Sequence, residues 1–366
     1  MNFDESRMFL MKKNTRRALT LALSILILSA ALIPNTAYAE TKSKPVTIKI
    51  GSYVTPQSVW GKEIAKAVLR VKERTNGEID IKHLHSGMLG SDSNMLNQVL
   101  IGGIQGAGVQ TSTLASIVPE VNIIEMPFLF RDHEEANYLL DNVIMPALKK
   151  KFEAKGLMTS AVIETGFMDM VMSGPVRKPA DLKTMKIGSW ESPVHISFWK
   201  AQGAAPIPIP ATEVFNAYAR GMVDSGANTA NALIAWDKLF GAALKRDKIY
   251  ITRIGFCYQA GILVMNKSFF ESLPAQDQAV IKEELNRFSS SLRKILRDSE
   301  PESFRNLEAK GYHVATMPAA EKEIFERNSQ KVYKELESVI GKNFMRKVLA
   351  ARAAYRKKNP AKDSGR

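Results

Sequence analysis

The sequence predicts an α/β fold of two interleaved lobes, completed by long helices towards the C-terminal end. Three observations carry this prediction. Strand-like and helix-like stretches alternate from about residue 46 to residue 265, and from Gln276 onward the pattern changes to long helical runs. The 366 residues, 45% apolar and 24% charged, exceed what one hydrophobic core organises. No internal repeat and no low-complexity linker divides the chain into beads.

In chain order, Lys12, Lys13, Arg16 and Arg17 precede an apolar run from Ala18 to Pro34 that ends in Ala37-Tyr38-Ala39. This is the pattern of a signal peptide cleaved after Ala39, with Met1, Met8 or Met11 as its start, and it predicts export to the periplasm. Val46, Ile48 and Ile50 alternate with polar residues as a strand does, and Trp60, Ile64, Ala67, Val68 and Val71 follow at helical spacing. Asn76-Gly77 turns the chain into Ile79 and Ile81. Ser91, Asp92 and Ser93 offer caps for a helix marked by Met95, Leu96, Val99 and Leu100. Strands are predicted at Met158 to Ile163, Met185 to Ile187 and Ile262 to Met265, with helices at Val194 to Lys200 and Glu213 to Arg220. Helices at Gln276 to Arg297 and Ala319 to Val339 enclose a short strand near Tyr312 to Ala315. Such βα units predict mostly parallel sheets flanked by helices.

Charge and composition exclude several function classes. Fifty-one Lys and Arg against 37 Asp and Glu give +14; without residues 1–39 the counts are 46 and 35, or +11. No nucleic-acid-binding module accompanies that charge. Its densest cluster, Arg352, Arg356, Lys357 and Lys358, predicts a solvated, disordered tail over 352–366. One Cys permits neither an intrachain disulfide nor a Cys-based zinc site.

Motifs for chemistry are sparse. Gly102, Gly103, Gly106 and Gly108 stand in the wrong order for dinucleotide binding and predict close backbone packing beside a strand. His83 and His85 share a strand face, without carboxylates at ligand spacing, and are expected to be surface or satisfied histidines. Cys257 has no base nearby in sequence, and neither a G-x-S-x-G elbow nor an H-E-x-x-H motif occurs. No enzymatic activity, metal or cofactor is therefore expected.

Several segments, taken in order, carry a family resemblance. They are Thr75-Asn76-Gly77-Glu78-Ile79, Ser86 to Ser91 with its G-x-L-G, Val118-Pro119-Glu120, and Pro127-Phe128-Leu129-Phe130-Arg131-Asp132. Pro179 to Ile187, Gly203-Ala204, Glu213-Val214-Phe215 and Gly221-Met222-Val223-Asp224 follow, with Asn228 at the Asn of a V-D-G-x-E-N pattern. Across about residues 46–340 the chain resembles the DctP-type solute-binding proteins of tripartite ATP-independent periplasmic (TRAP) transporters. The resemblance implies a two-lobed periplasmic-binding-protein fold, type II-like. Lobe I is expected from 46–165 plus about 253–290, and lobe II from 166–252 plus about 291–345. It further implies a small-molecule ligand held between the lobes and delivered to the small and large subunits of a TRAP membrane permease.

The departures from the family bear on the ligand. Members usually clamp a carboxylate with the Arg of a K-I-R stretch and a second Arg in G-F-R; here those positions are Gly188 and Met168. Arg offers a planar, bidentate fork to a carboxylate, and a buried carboxylate without such a partner is strongly disfavoured. The expected lining of Met168, Trp190 beside Gly188, and Phe256 points instead to a neutral or apolar ligand. The alternatives are an organic acid held by Arg253, Lys186 or Arg131, and a cationic solute facing Glu164, Asp169 or Glu191. In the first of these, Trp190, Trp236 and Phe256 are core aromatics.

The expected ligand contacts are Val54, Thr55 and Gln57 after the first strand, Gln110 and Thr111 after a later one, and Met168, Gly188, Trp190, Asn228 and Phe256. The loop positions rest on the rule that ligands bind beyond the carboxyl ends of parallel strands. A sensor, a lipid carrier or an enzyme on the same fold are the rival functions.

Overall fold

The computed structural model describes residues 44–210, 213–240 and 245–360. The predicted signal peptide and its cleavage point lie outside the described residues. One mixed sheet runs in the order β2-β1-β3-β8-β4-β7, with β9 also paired to β8. Its strands are β1 (Val46–Gly51), β2 (Ile79–Leu84), β3 (Gly106–Gln110), β4 (Leu157–Met172), β7 (Gly226–Asn228), β8 (Tyr250–Asn266) and β9 (His313–Thr316). Strands β5 (Gly188–Ser189) and β6 (Ile207–Pro208) form a small parallel pair, tied to the main sheet by a bridge from Ile187 to Ser225. The pairs β1/β2, β1/β3 and β8/β9 are parallel, whereas β8 runs antiparallel to β3 and β4, and β4 antiparallel to β7.

The two long strands divide the molecule into two lobes. They pair side by side from Leu157↔Asn266 to Met172↔Tyr250. At one end β3 pairs Gly261–Met265 of β8; at the other, β7 pairs Asp169–Val171 of β4 and β9 pairs Tyr250–Arg253 of β8. The exchange falls on one rung of the ladder. Phe167 and Tyr258 are register partners in a lobe I core, and the next partners, Met168 and Cys257, lie in a lobe II core. Beside that rung, Gly166 and Gly255 take φ of 114° and 57°, a region that glycine enters without Cβ strain. The expected break at 253 falls too early on β8, because Ile254, Phe256 and Cys257 still belong to lobe II.

Side-chain alternation gives the sheet a core on each face in both lobes. In lobe I, Val109, Ile262 and Val264 face one core while Leu263 and Met265 face the other. In lobe II, Met170 and Met172 oppose Val171.

The helices are α1 (Val59–Arg74), α2 (Asp92–Leu100), α3 (Thr111–Leu114), α4 (His133–Leu139), α5 (Met145–Glu153), α6 (Pro193–Ala201), α7 (Val214–Ala219), α8 (Ala230–Phe240), α9 (Lys267–Ser272), α10 (Ala275–Ala309), α11 (Ala319–Ile340) and α12 (Lys342–Lys358). Caps fix the first two: Ser58 Oγ accepts from Gly61 N–H at 3.1 Å, and Ser91 Oγ from Asn94 N–H at 3.1 Å.

Two helices are shared by the lobes. The 35-residue α10 buries Ile281, Leu285, Phe288, Leu292 and Leu296 in lobe I, then Phe304 and Leu307 in lobe II. Helix α11 buries Phe325 in lobe II but Val332, Leu336 and Ile340 in lobe I. The assignment of 291–345 to lobe II is corrected accordingly, since a stripe at helical spacing on a 22-residue rod, roughly 33 Å long, reaches both cores. The basic segment is also corrected. Residues 352–358 complete α12, and Arg356 ion-pairs the fully buried Glu135 at 2.7 Å.

Candidate functional site

The carboxyl ends of β1 and β3 open a cavity of about 180 Å³ in lobe I, between the sheet, α1 and α10. Ser52, Tyr53 and Val54 leave β1, Gln110 ends β3, and Thr165 comes from β4. Tyr53, His83 and Asp92 are its ionisable groups, and burial, with Asp92 nearby, raises the Tyr53 phenol. His83 Nε2 lies 2.7 Å from Ser52 Oγ, and burial, with His85 beside it, pushes its pKa down to about 4, so the ring is neutral. Asp92, the first residue of α2, accepts the Gln110 N–H on Oδ2 at 3.0 Å while its buried Oδ1 has no hydrogen-bond partner. Desolvation raises this carboxyl to about 6. Among the described residues no group of three or more His, Cys, Asp or Glu could hold a metal ion.

Lobe II holds a second cavity of about 100 Å³, walled by Gly188, Trp190, Phe215, Tyr218, Asn228 and Trp236 among others. Trp190 Nε1–H donates to Ala227 O at 3.3 Å, holding the indole across β7. Asn228 is buried; its Oδ1 accepts the Thr229 N–H at 2.9 Å, and that contact fixes the amide orientation. Its Nδ2 is left buried without a partner, a donor available to a ligand oxygen.

A third, polar cavity of about 80 Å³ lies where β4 and β8 change lobes, and it gathers Arg131, Asp169, Arg253, Glu300 and Lys322. Asp169 Oδ1 accepts the N–H groups of Ile254 and Gly255 at 2.8 and 2.9 Å, yet burial still raises its pKa to about 7. Arg253 lies over the Phe304 ring, 4.1 Å from its centre.

The predicted contacts are distributed unevenly over these sites. Val54 and Gln110 line the lobe I cavity; Gly188, Trp190 and Asn228 line that of lobe II. Gln57 is exposed, and Thr55 uses its carbonyl to accept the Ser58 N–H at the head of α1. Thr111 is fully buried and donates to Glu125 and, at 3.0 Å, to Ala260 O, so its hydroxyl is spent inside the fold.

Met168 and Phe256 are corrected to core residues. Both are 0% exposed, and Phe256 stacks on Phe198 with ring centres 4.1 Å apart. The cation candidates also fall outside the two lobe cavities. Lys186 is exposed with Nζ 3.3 Å from Gly221 O, while Arg131 and Arg253 border the third cavity. Of the acids named for a cationic solute, Glu164 is paired with Arg297, Asp169 binds backbone N–H groups and Glu191 is exposed.

Sequence reasoning missed Thr165, Phe215 and Tyr218, and it read Asp92 only as a cap. Nothing local to Thr165 and Tyr218 marks them; the chain crossing of β4 and the packing of α7 bring them to a cavity.

A family model described as bacterial extracellular solute-binding protein, family 7 (DctP), matches residues 50–338. The chain belongs to this DctP family. Similar curated proteins include the 2,3-diketo-L-gulonate-binding periplasmic protein of Escherichia coli, 30% identical over 67% of this chain and 74% of its own length. Among solved structures, a TRAP periplasmic solute-binding protein from Ralstonia eutropha H16 with bound (S)-2-acetolactate is 27% identical, with a TM-score of 0.78 over 84% of this chain and 99% of that one. The sugar acid binding protein of Advenella mimigardefordensis, in complex with galactonate, gives 26% identity and a TM-score of 0.78 over 85% and 99%. The two-lobed α/β architecture and the solute-binding role are thus those of the DctP family.

Proposed function

We propose that this DctP-family chain works in the periplasm, captures a small organic solute between its lobes, and passes it to the small and large membrane subunits of a TRAP permease. Export rests on the signal-peptide pattern ending at Ala39. In mechanism, the lobe I cavity and the lobe II cavity act as the two halves of one cleft, and the solute favours closure by the difference in its affinity for the closed and open forms.

The observation that carries the ligand reading is that neither of these two apolar cavities is lined by an Arg or Lys among the described residues. The wall position where the resemblance places a clamping arginine is Gly188. A solute bound there is neutral or largely apolar, with Asn228 Nδ2 donating to one of its oxygens. A second reading, an organic acid, is favoured by the acids named with the solved relatives and by the cations Arg131, Arg253 and Lys322 around the third cavity.

The test is mass spectrometry of the compound released on denaturing protein purified from a periplasm. A weakly polar, uncharged compound near one per chain is the expected result. A carboxylic acid at that ratio makes the second reading the correct one, and turnover of the bound compound removes the carrier reading altogether.

A further inference from the structure

We propose that the lobe I cavity is an apolar subsite for the transported solute, taking an uncharged ring or branched-alkyl moiety that carries a hydroxyl or amide N–H donor at its neck. This rests on the carrier reading given above and specifies its substrate class.

The space itself is the first argument. Natural cores are close-packed and leave few voids larger than a water molecule. A cavity of about 180 Å³ exceeds the roughly 150 Å³ that stays dry and binds benzene when lined by Leu, Ile and Phe. Its deep walls are Trp60, Ile64, Val68 and Val71 of α1 with Leu285 and Phe288 of α10, all on regular helices. The one polar atom of Trp60 is already used, because Nε1–H donates to Glu164 O at 3.0 Å. The deep end therefore offers carbon surface to an occupant.

The polar groups belong to the strand ends and the head of α2, and they set the chemistry of the neck. Ser52 and His83 satisfy each other at 2.7 Å. Asp92 does not satisfy itself: it is 7% exposed, it spends Oδ2 on Gln110 N–H, and it leaves Oδ1 without a partner. A buried carboxylate oxygen with a free lone pair seeks a donor, so a ligand hydroxyl or amide N–H fits where a ligand carboxylate would be repelled. Polyhydroxylated acids, whose every carbon bears a polar group, would bury hydroxyls against the helix walls without partners.

The experiment titrates solute-stripped protein, otherwise as purified from a periplasm, with benzyl alcohol and separately with D-erythronate, following tryptophan fluorescence and melting temperature. The expected result is that benzyl alcohol binds and raises the melting temperature and D-erythronate does neither. Ala67→Phe, which fills the cavity, should weaken benzyl alcohol binding at least tenfold. Should that variant fail to fold, Val68→Ala enlarges the same space and is expected to shift preference towards 4-isopropylbenzyl alcohol. Benzyl alcohol that leaves wild-type melting unchanged, or binding unaltered by these substitutions, would overturn the subsite.

The two readings fail separately. Loss of the carrier reading leaves benzyl alcohol binding intact. Loss of the subsite alone appears as a co-purified solute that benzyl alcohol does not displace.

Discussion

Ser192 Oγ donates to Glu125 Oε2 at 2.6 Å in a fully buried contact that ties the head of α6 to the 3₁₀ turn Pro119–Glu125. Ser192 can do so because, although it stands at the N-cap of α6, its hydroxyl caps no helix N–H. Thr111 donates to the other carboxylate oxygen, and Cys257 Sγ to Glu125 O at 3.0 Å. A buried carboxylate satisfied from several elements makes each donor expensive to remove.

Thr111→Val keeps the shape and deletes the donor. It should lower the stability of solute-free protein by about 1–3 kcal/mol in urea unfolding. A residue that only touched solute would leave that curve unchanged and alter affinity alone.

Phe256→Ala should destabilise solute-free protein by about 3–5 kcal/mol, because it empties the stack against Phe198 in the lobe II core. Its thermal midpoint should fall equally with and without solute, as expected for a residue that lines none of the cavities described.

Gly188→Arg is the substitution that tests the lost clamp. The backbone there is an ordinary short strand, and a Cβ would meet Ile209 Cδ1 at 3.2 Å and Val223 Cγ2 at 3.3 Å, so these buried neighbours must give by a few tenths of an ångström. The variant should fold at a penalty of about 1–3 kcal/mol and gain calorimetric binding of D-erythronate. Met168→Arg should not fold, because it would place a guanidinium in a closed core.

Asn228→Ala should weaken binding of the co-purified solute by about tenfold in calorimetry, the value of one hydrogen bond to a buried amide. Solute-free stability should fall by no more than about 1 kcal/mol, since the side chain's bond inside the fold is the one that Oδ1 accepts from Thr229 N–H.

Stability should depend on pH through two opposed carboxyls. Glu164, buried but hydrogen-bonded by Arg297 at 2.7 and 3.1 Å and near His133, is held at about 2 against an ordinary 4.5. Its contribution is complete above pH 4.5 and is lost as pH falls through 2, so Glu164→Gln should flatten the acid limb of a denaturant series. Breaking this pair should also lower stability at pH 7 by about 3–5 kcal/mol. Asp169 is raised by burial from 3.8 to about 7, so its effect is the reverse: stability is lost as pH rises through that range. Asp169→Asn should keep an acceptor for Ile254 and Gly255 N–H and reduce the loss measured between about pH 4 and 7. His133, raised by Glu164 and Glu300 against the opposing effect of burial, adds to the loss at higher pH.

Much of the architecture was legible where period and capping agree. The alternation of Val46, Ile48 and Ile50 marks β1, the stripe from Trp60 to Val71 marks α1, and Ser91 caps α2. Only the ends Met158–Ile163 and Ile262–Met265 of β4 and β8 were visible. Their remaining halves are buried on both faces, and three register shifts in β4 break the alternation that reveals a strand. The sequence pattern ends α10 at Arg297, whereas the helix continues through Pro301 to Ala309. Of the predicted contacts, Gly188 and Asn228, placed by motif spacing, and Trp190 beside Gly188 line the lobe II cavity. Met168, Phe256 and Thr111 were misplaced because one sequence position cannot show which side of a doubly buried strand, or which partner of a hydroxyl, the fold selects.

The sealed position of Cys257, 2% exposed with burial raising its thiol well above the usual range, makes the chain a ready background for site-directed dye attachment. The native sulfur is poorly placed to compete for maleimide. Cysteines introduced at Met88, 65% exposed beyond β2, and at Met222, 53% exposed beyond α7, would put a fluorophore on each lobe without first removing a native one. Energy transfer between them would report opening and closing in real time as solute arrives.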